Sequence, residues 1–281
     1  MSGNRPGITS LVLIALILAA TVRHARADEP KPIRALLVIG GCCHDYAKQK
    51  DILTAGVSAR THVVWTVAYD PDKTDGHLNP VYERADWADG FDVVVHDECS
   101  SNVADKATVD RILKPHRDGL PAVVLHCGMH SYRTEGYPDA VTPWFEFTGL
   151  PSTGHGPQLP IEVTFVDRNS PITKGLTDWT TIKEELYNNH AGRLLDRAHP
   201  LARGKQVIKQ RNGETTTDDC VVAWINSYAG KTRVFATTLG HNNETVADAR
   251  YLDLVTRGLL WSLDSLDEAH LKPAGKADSG K

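Results

Sequence analysis

The sequence predicts an α/β protein built on a doubly wound, mostly parallel sheet, with extra strands in its second half. Three observations predict it. Short apolar runs without alternation, such as Ala122–Leu125, read as strands buried on both faces. Strand and helix patterns take turns along the first half, which favours parallel pairing through right-handed crossovers. Four strands end in histidine-bearing segments, at Leu36–Asp45, Asp92–Glu98, Ala122–Arg133 and Arg233–Glu244. In open α/β sheets, ligands sit just beyond the carboxyl ends of the strands.

The first 27 of the 281 residues read as a leader. Arg5 precedes an uncharged run from Ile8 to Val22, and Ala25-Arg26-Ala27 has small residues at the spacing signal peptidase prefers. The run is shorter than the ~20 residues of a spanning helix, so cleavage and export are expected, periplasmic or extracellular, with no membrane attachment afterwards. Removing this segment takes Arg5, Arg23 and Arg26 away and moves the formal charge from −4 to −7, which argues against a nucleic-acid partner. The remainder has the size of one domain, residues 28–267, followed by a polar tail, residues 268–281, expected to be disordered.

The first strand is expected over Arg34–Ile39. Gly40-Gly41 turns the chain, and Asp45 is placed to cap a helix with Ile52, Leu53, Gly56 and Val57 on one face. The G-x-G-x-x-G spacing is missing, so no nucleotide is expected. His62–Ala68 is the second strand, and the loop Tyr69–Asn79, His77 included, reads as solvated surface. Asp92–His96 is the third strand. Val109, Ile112 and Leu113 mark a helix within Ala104–Arg117, and Ala122–His126 is the central strand. Tyr132–Pro160 breaks into Gly, Pro and aromatic residues, either a cover for the sheet or a ligand-facing loop. Further strands are expected at Ile161–Val166, Lys183–Tyr187, Gln206–Gln210, Val221–Ile225 and Thr232–Thr237, with an Asn212-Gly213 hairpin turn. A last helix begins at Asn243 or Thr245 and buries Tyr251, Leu254, Val255, Gly258 and Leu259.

Five cysteines, Cys42, Cys43, Cys99, Cys127 and Cys220, leave at least one unpaired or paired with another molecule. No C-x-x-C pair occurs. Cys42, Cys99 and Cys220 read as small buried residues at strand ends, and Cys127 as a thiol packed under its loop.

The ordered landmarks GGCCHD (Gly40–Asp45), VVLH (Val123–His126), WFEFTGLPSTGHG (Trp144–Gly156), EELY (Glu184–Tyr187) and VVAWINSYAGKTRVFATTLGH (Val221–His241) resemble the ThuA-like, trehalose-utilisation family. The resemblance runs from Ile33 to about Leu263. It implies a flavodoxin-like fold shared with class I glutamine amidotransferases. Those enzymes carry a cysteine nucleophile in a C-x-G-x-Q turn after the central strand, where this chain reads His126-Cys127-Gly128-Met129-His130. An imidazole does not replace a thiolate in acyl transfer, so the resemblance supports the fold and argues against amidotransfer.

The resemblance implies carbohydrate catabolism: a lyase or hydrolase acting on an oxidised, keto form of a disaccharide or glycoside. His126, His241 and Glu185 are its candidate catalytic groups. His44, His126, His155 and His241 could hold a divalent metal, Zn²⁺ or similar, because imidazole and carboxylate suit such ions. Asp45, His130, Trp144 and Tyr187 are candidate substrate contacts, with Tyr132 another aromatic for stacking on a sugar face; His96, His190 and Asn189 rank behind them. The partner expected is a small-molecule carbohydrate, and the sequence leaves the oligomeric state open, a homo-oligomer included. Two other readings stand beside this one: a non-catalytic carbohydrate-binding protein, and an amide hydrolase using Cys127.

Overall fold

The structure, a computed structural model, describes Gly3 and residues 31–192 and 194–272. The expected leader, residues 1–27, lies outside the described residues except for Gly3. Nine strands form one sheet in the order β2-β1-β3-β4-β9-β8-β7-β5-β6. They are β1 (Ile33–Gly41), β2 (Val63–Asp70), β3 (Val93–Cys99), β4 (Ala122–Leu125), β5 (His155–Phe165), β6 (Trp179–Tyr187), β7 (Ala198–Lys209), β8 (Thr215–Tyr228) and β9 (Thr232–Thr237). The strands from β2 to β9 pair parallel. From β9 onward every pairing is antiparallel. The expected extra strands are therefore an antiparallel extension of the parallel half.

Apart from the half-exposed edge strand β2, the parallel strands bury both faces. Along β1, Ala35, Leu37 and Ile39 enter one core and Leu36 and Val38 the other, the two-residue alternation of a strand covered on each side. The first core lies under α1 (Tyr46–Ser58) and α5 (Ala249–Ser262), the second under α2 (Lys106–Asp118) and α3 (Pro143–Thr148). A short α4 (Asn243–Val246) precedes α5, and the break between them is set by Asp248, whose carboxylate accepts from the Arg250 amide.

Several expectations are corrected. Asp45 stands at the start of α1 without a side-chain capping bond; its carboxylate instead accepts from Asn243 Nδ2 at 3.0 Å and pairs with Lys48. His77 is buried, 6% exposed, because the loop around it folds onto the sheet edge. The aromatic segment is a cover: Trp144 and Phe147 are fully buried. Trp144 donates its indole N–H to the Gly128 carbonyl at 2.8 Å. Tyr132 is likewise fully buried, its hydroxyl spent on Glu98, so neither ring is open to a sugar. Part of the expected tail is docked: Leu271 bridges to Thr61, and the Lys272 ammonium donates to the Ser58 carbonyl. Residues 273–281 lie outside the described residues. Among the described residues no helix is long and apolar enough to cross a membrane.

Behind the parallel strand ends lies a buried polar network. Glu98 Oε1 accepts from Tyr82 Oη at 2.7 Å and Tyr132 Oη at 2.8 Å, and lies 3.0 Å from His96 Nδ1. His96 Nε2 is 3.0 Å from His116 Nε2, whose other nitrogen meets the Leu120 carbonyl at 2.8 Å. Burial, then the neighbouring His96, lowers the His116 pKa to about 3, so His116 is neutral and donates from Nδ1 to Leu120. Its Nε2 is then an acceptor. His96 Nε2 is then the donor in that contact, while Glu98 Oε1 gathers the Tyr82 and Tyr132 hydroxyls on the other side. Glu98→Ala strands these donors in the core and is expected to cost about 3–5 kcal/mol of unfolding free energy. Urea denaturation checks this, and a change under 1 kcal/mol would show that the network does not hold the fold.

Candidate functional site

His44, His126, His241, Glu185 and Tyr187 all come from the carboxyl ends of strands, whereas His155 opens β5. At the end of β1, Gly40-Gly41 takes the chain through positive φ, and a methyl on Gly41 would run into the Cys99 carbonyl, so only glycine admits the turn. Cys42, Cys43 and His44 follow it. After β4 the chain enters a tight 3₁₀ turn, His126–His130, with His126 itself at φ 40°. That conformation is uncommon for a side-chain-bearing residue and places the imidazole at the top of the sheet. Gly128 lets this turn sit on β3, since a Cβ there would lie 2.9 Å from the His96 carbonyl oxygen. Beyond β9, His241 follows Gly240.

The fourth contribution comes from β6. Glu185 and Tyr187, two residues apart, reach the same side of the strand, and both approach His126. β6 is last in the sheet order, so the antiparallel half curls back over the parallel strand ends. Glu184, one residue before Glu185 and so on the opposite face, accepts from the backbone amides of His241 at 3.1 Å and Asn242 at 3.2 Å. A carboxylate at that position also suits the start of α4.

One ring nitrogen each of His44, His126 and His241 lie within 4.8 Å of one another. The geometry fixes the ligand atom of His126. Its Nδ1–H donates to the Thr238 carbonyl at 2.6 Å, leaving Nε2 as the lone pair, 3.2 Å from Tyr187 Oη and 3.7 Å from Glu185 Oε2. A backbone carbonyl behind a histidine is the usual support for a metal ligand. Both nitrogens of His44 are buried without a hydrogen-bond partner among the described residues. Burial, then the charges of His126 and His241, lowers its pKa to about 2, so the ring remains a neutral donor of lone pairs. An orphaned, neutral imidazole facing two others fits a divalent ion with imidazole preference.

Glu185 ties the group together. Its Oε2 is 3.2 Å from His241 Nδ1 and 3.6 Å from His155 Nε2. Burial works against its charge, but the His126 and His241 imidazoles beside it outweigh this and hold the carboxyl far below the usual carboxylate range. The Glu185 hydrogen bond correspondingly raises His241, burial opposing it. Tyr187 is raised well above its ordinary value by burial and by Glu185, so its hydroxyl stays protonated.

The cavity lined by His44, Glu185, Tyr187 and His241 has a volume of about 600 Å³ and is also lined by His130, Arg133, Asp75 and Thr153, with His126 buried behind it. His155 stands at its rim, stacked over Tyr187, and outside the three-imidazole group. His130 lies flat on Tyr187, ring centroids 4.0 Å apart, with Nε2 bound to Ser152 Oγ, and acts as backing for that ring. Asp45 and Trp144 do not line the cavity: one faces Asn243 outside it, the other is sealed in the core. His96 belongs to the buried network, His190 faces Asp139 at 3.6 Å, and Asn189 bonds the backbone of Val221.

Gln158 was not foreseen. From β5 its Nε2 donates to Glu185 Oε1 at 3.3 Å and lies 2.7 Å from His241 Nε2. Nor was the pairing of Cys99 with Cys127 in a disulfide, Cα atoms 5.1 Å apart. It corrects the reading of both as single packed thiols. While the bond is intact Cys127 has no free thiolate, which the amide-hydrolase reading needs.

Comparison with known proteins agrees with this architecture. A ThuA-like protein from Parabacteroides merdae superposes with a TM-score of 0.59 at 20% identity, over 83% of this chain and 90% of that one. A ThuA-like protein from Bacteroides uniformis gives 0.58 at 15% identity, over 88% and 98%. A glutamine amidotransferase from Thermotoga maritima gives 0.40 at 10% identity, over 84% and 95%. No curated protein matches the sequence. A family model described as ThuA, trehalose utilisation, matches residues 34–262, nearly all of the described chain, and the protein therefore belongs to the ThuA family.

Proposed function

We propose that this ThuA protein is a metal-assisted lyase or hydrolase acting on an oxidised, keto form of a disaccharide or glycoside, exported through its first 27 residues. The family description supports a role in carbohydrate metabolism. The observation that carries the finer reading is the convergence of His44, His126 and His241 around Glu185, with His44 lacking any other partner among the described residues. A Zn²⁺ or similar ion held by these imidazoles would supply Lewis-acid polarisation of the sugar's keto oxygen.

The chain's own groups then divide the work. The ionised Glu185 takes the proton from the carbon beside the keto group. His155 Nε2, 3.6 Å away, receives that proton and passes it to the glycosidic oxygen as its bond to carbon breaks. His241 and Gln158 fix the carboxylate, and the neutral Tyr187 hydroxyl offers a hydrogen bond to the oxygen that gains negative charge.

The test is elemental analysis of protein purified without chelator or histidine tag, beside His126→Ala, followed by a panel of oxidised and unoxidised glycosides. About one equivalent of metal, lost in the variant, with turnover confined to oxidised glycosides, is the expected outcome. Sugar affinity without turnover across the panel would make the protein a carbohydrate-binding module instead. N-terminal sequencing of protein recovered outside the cytoplasm tests export, with Asp28 expected as the first residue.

A further inference from the structure

Beside the imidazoles stands a second set of soft donors that the proposed chemistry does not use. Three neighbouring strand ends supply it: Cys42 and Cys43 after β1, Cys99 at the end of β3, Cys127 after β4. Cys42 Sγ is 3.2 Å from Cys99 Sγ. Cys42, Cys43 and Cys99 form one group with donor atoms within 4.8 Å of one another, and His44, Cys99 and Cys127 form another. Cys99 joins the two. Cys99 and Cys127 are buried, 4% and 5% exposed, and all four sulfurs line the same cavity.

We propose that reduction of the Cys99–Cys127 disulfide opens a thiolate-rich metal site made by Cys42, Cys99, Cys127 and His44, for a soft or borderline ion such as Cu⁺ or Zn²⁺. A dithiol cleaves the S–S bond, two electrons and two protons pass to the sulfurs, and the dithiol leaves as its own disulfide. Three thiols and an imidazole are a Cys₃His set, one of the closed tetrahedral sets in which zinc is held. In such a site sulfurs lie about 3.8 Å apart, from metal–sulfur bonds of about 2.3 Å, so the present crowding calls for only a small separation. The ion displaces the thiol protons on binding. His44, with both ring nitrogens orphaned, adjoins both sets, so the redox state of the cysteines decides whether this ring serves imidazoles alone or sulfur as well.

The test uses Co²⁺ as the probe on the full chain. Protein is reduced with a dithiol, freed of reductant under anaerobic conditions and checked by thiol titration for five free thiols, against three in the oxidised protein. Thiolate ligation gives an intense near-ultraviolet sulfur-to-cobalt charge-transfer band, which imidazole ligation does not. The expected result is a band that saturates in the reduced protein, is absent from the oxidised protein, is lost in Cys99→Ser and is weakened in Cys42→Ser. It should persist in His241→Ala, which disables the imidazole site alone and so separates this proposal from the catalytic reading. No band in protein with five titratable thiols, or a band unchanged in a folded Cys99→Ser variant, overturns the proposal.

Discussion

Glu185→Gln is expected to lower turnover of the oxidised glycoside by about 10²–10⁴-fold, the usual contribution of a positioned general base. The glutamine keeps the size and one acceptor, so the cavity persists and the loss falls on kcat rather than KM. The pH dependence of stability gives an independent check. Glu185 has a folded pKa below its unfolded value of 4.5, so its contribution is present above that pH and lost as pH falls through the folded value. His241 has a folded pKa above 6.5, so its contribution is full below that pH and lost as pH rises through the folded value. Their pair therefore stabilises most between about pH 4.5 and 6.5. The stability difference between the native protein and Glu185→Gln should peak in that window. Turnover within threefold of native in the variant would remove Glu185 as the base.

Acidification is expected to destabilise the metal-free protein steeply. His44 and His116 are pushed down to about 2 and about 3, and His130 well below 6.5, burial being the largest cause in each case. The unfolded chain binds protons at these residues below pH 6.5 and the folded chain does not, so stability falls with pH at one proton per histidine. Three such groups give roughly 4 kcal/mol per pH unit once pH is well under 6.5. Urea titrations at pH 7, 6 and 5.5 measure this. Replacing His130 with glutamine should reduce the slope by about one third; a flat profile would mean that these rings are protonated in place. An ion on His44 should delay the onset, because the proton must then displace it.

The parallel half was legible in the sequence because its inner strands, β1, β3, β4 and β9, are buried on both faces and declare themselves as apolar runs. Thr232–Thr237 has the bounds expected of it. The antiparallel strands extend well past the expected ones: β7 begins at Ala198 rather than Gln206, since half-exposed strands alternate and their polar positions look like loop. His126, His241 and Glu185 were legible as a group through ordered landmarks, and the structure brings them together. Gln158 was not, because nothing local to β5 distinguishes a glutamine facing a cavity from one facing water. The Cys99–Cys127 pairing depends on β3 and β4 being neighbours, which composition alone does not say. Trp144 was misread for a related reason: an aromatic in a Gly- and Pro-rich segment has the same local pattern whether it caps a core or lines a pocket.

Gln49 in α1 donates to the backbone carbonyl of His241 across 192 residues of sequence. The site thus closes a loop that contains most of the chain, and the entropy of that closure has to be overcome before any of its contacts form. No fragment lacking either end can assemble it. An ion or sugar that bridges His44 and His241 acts as a clasp on the whole topology, so its stabilisation belongs to the global unfolding step, growing as RT ln(1 + [L]/Kd), and hydrogen exchange of the central strands should slow as much as that of the residues it touches.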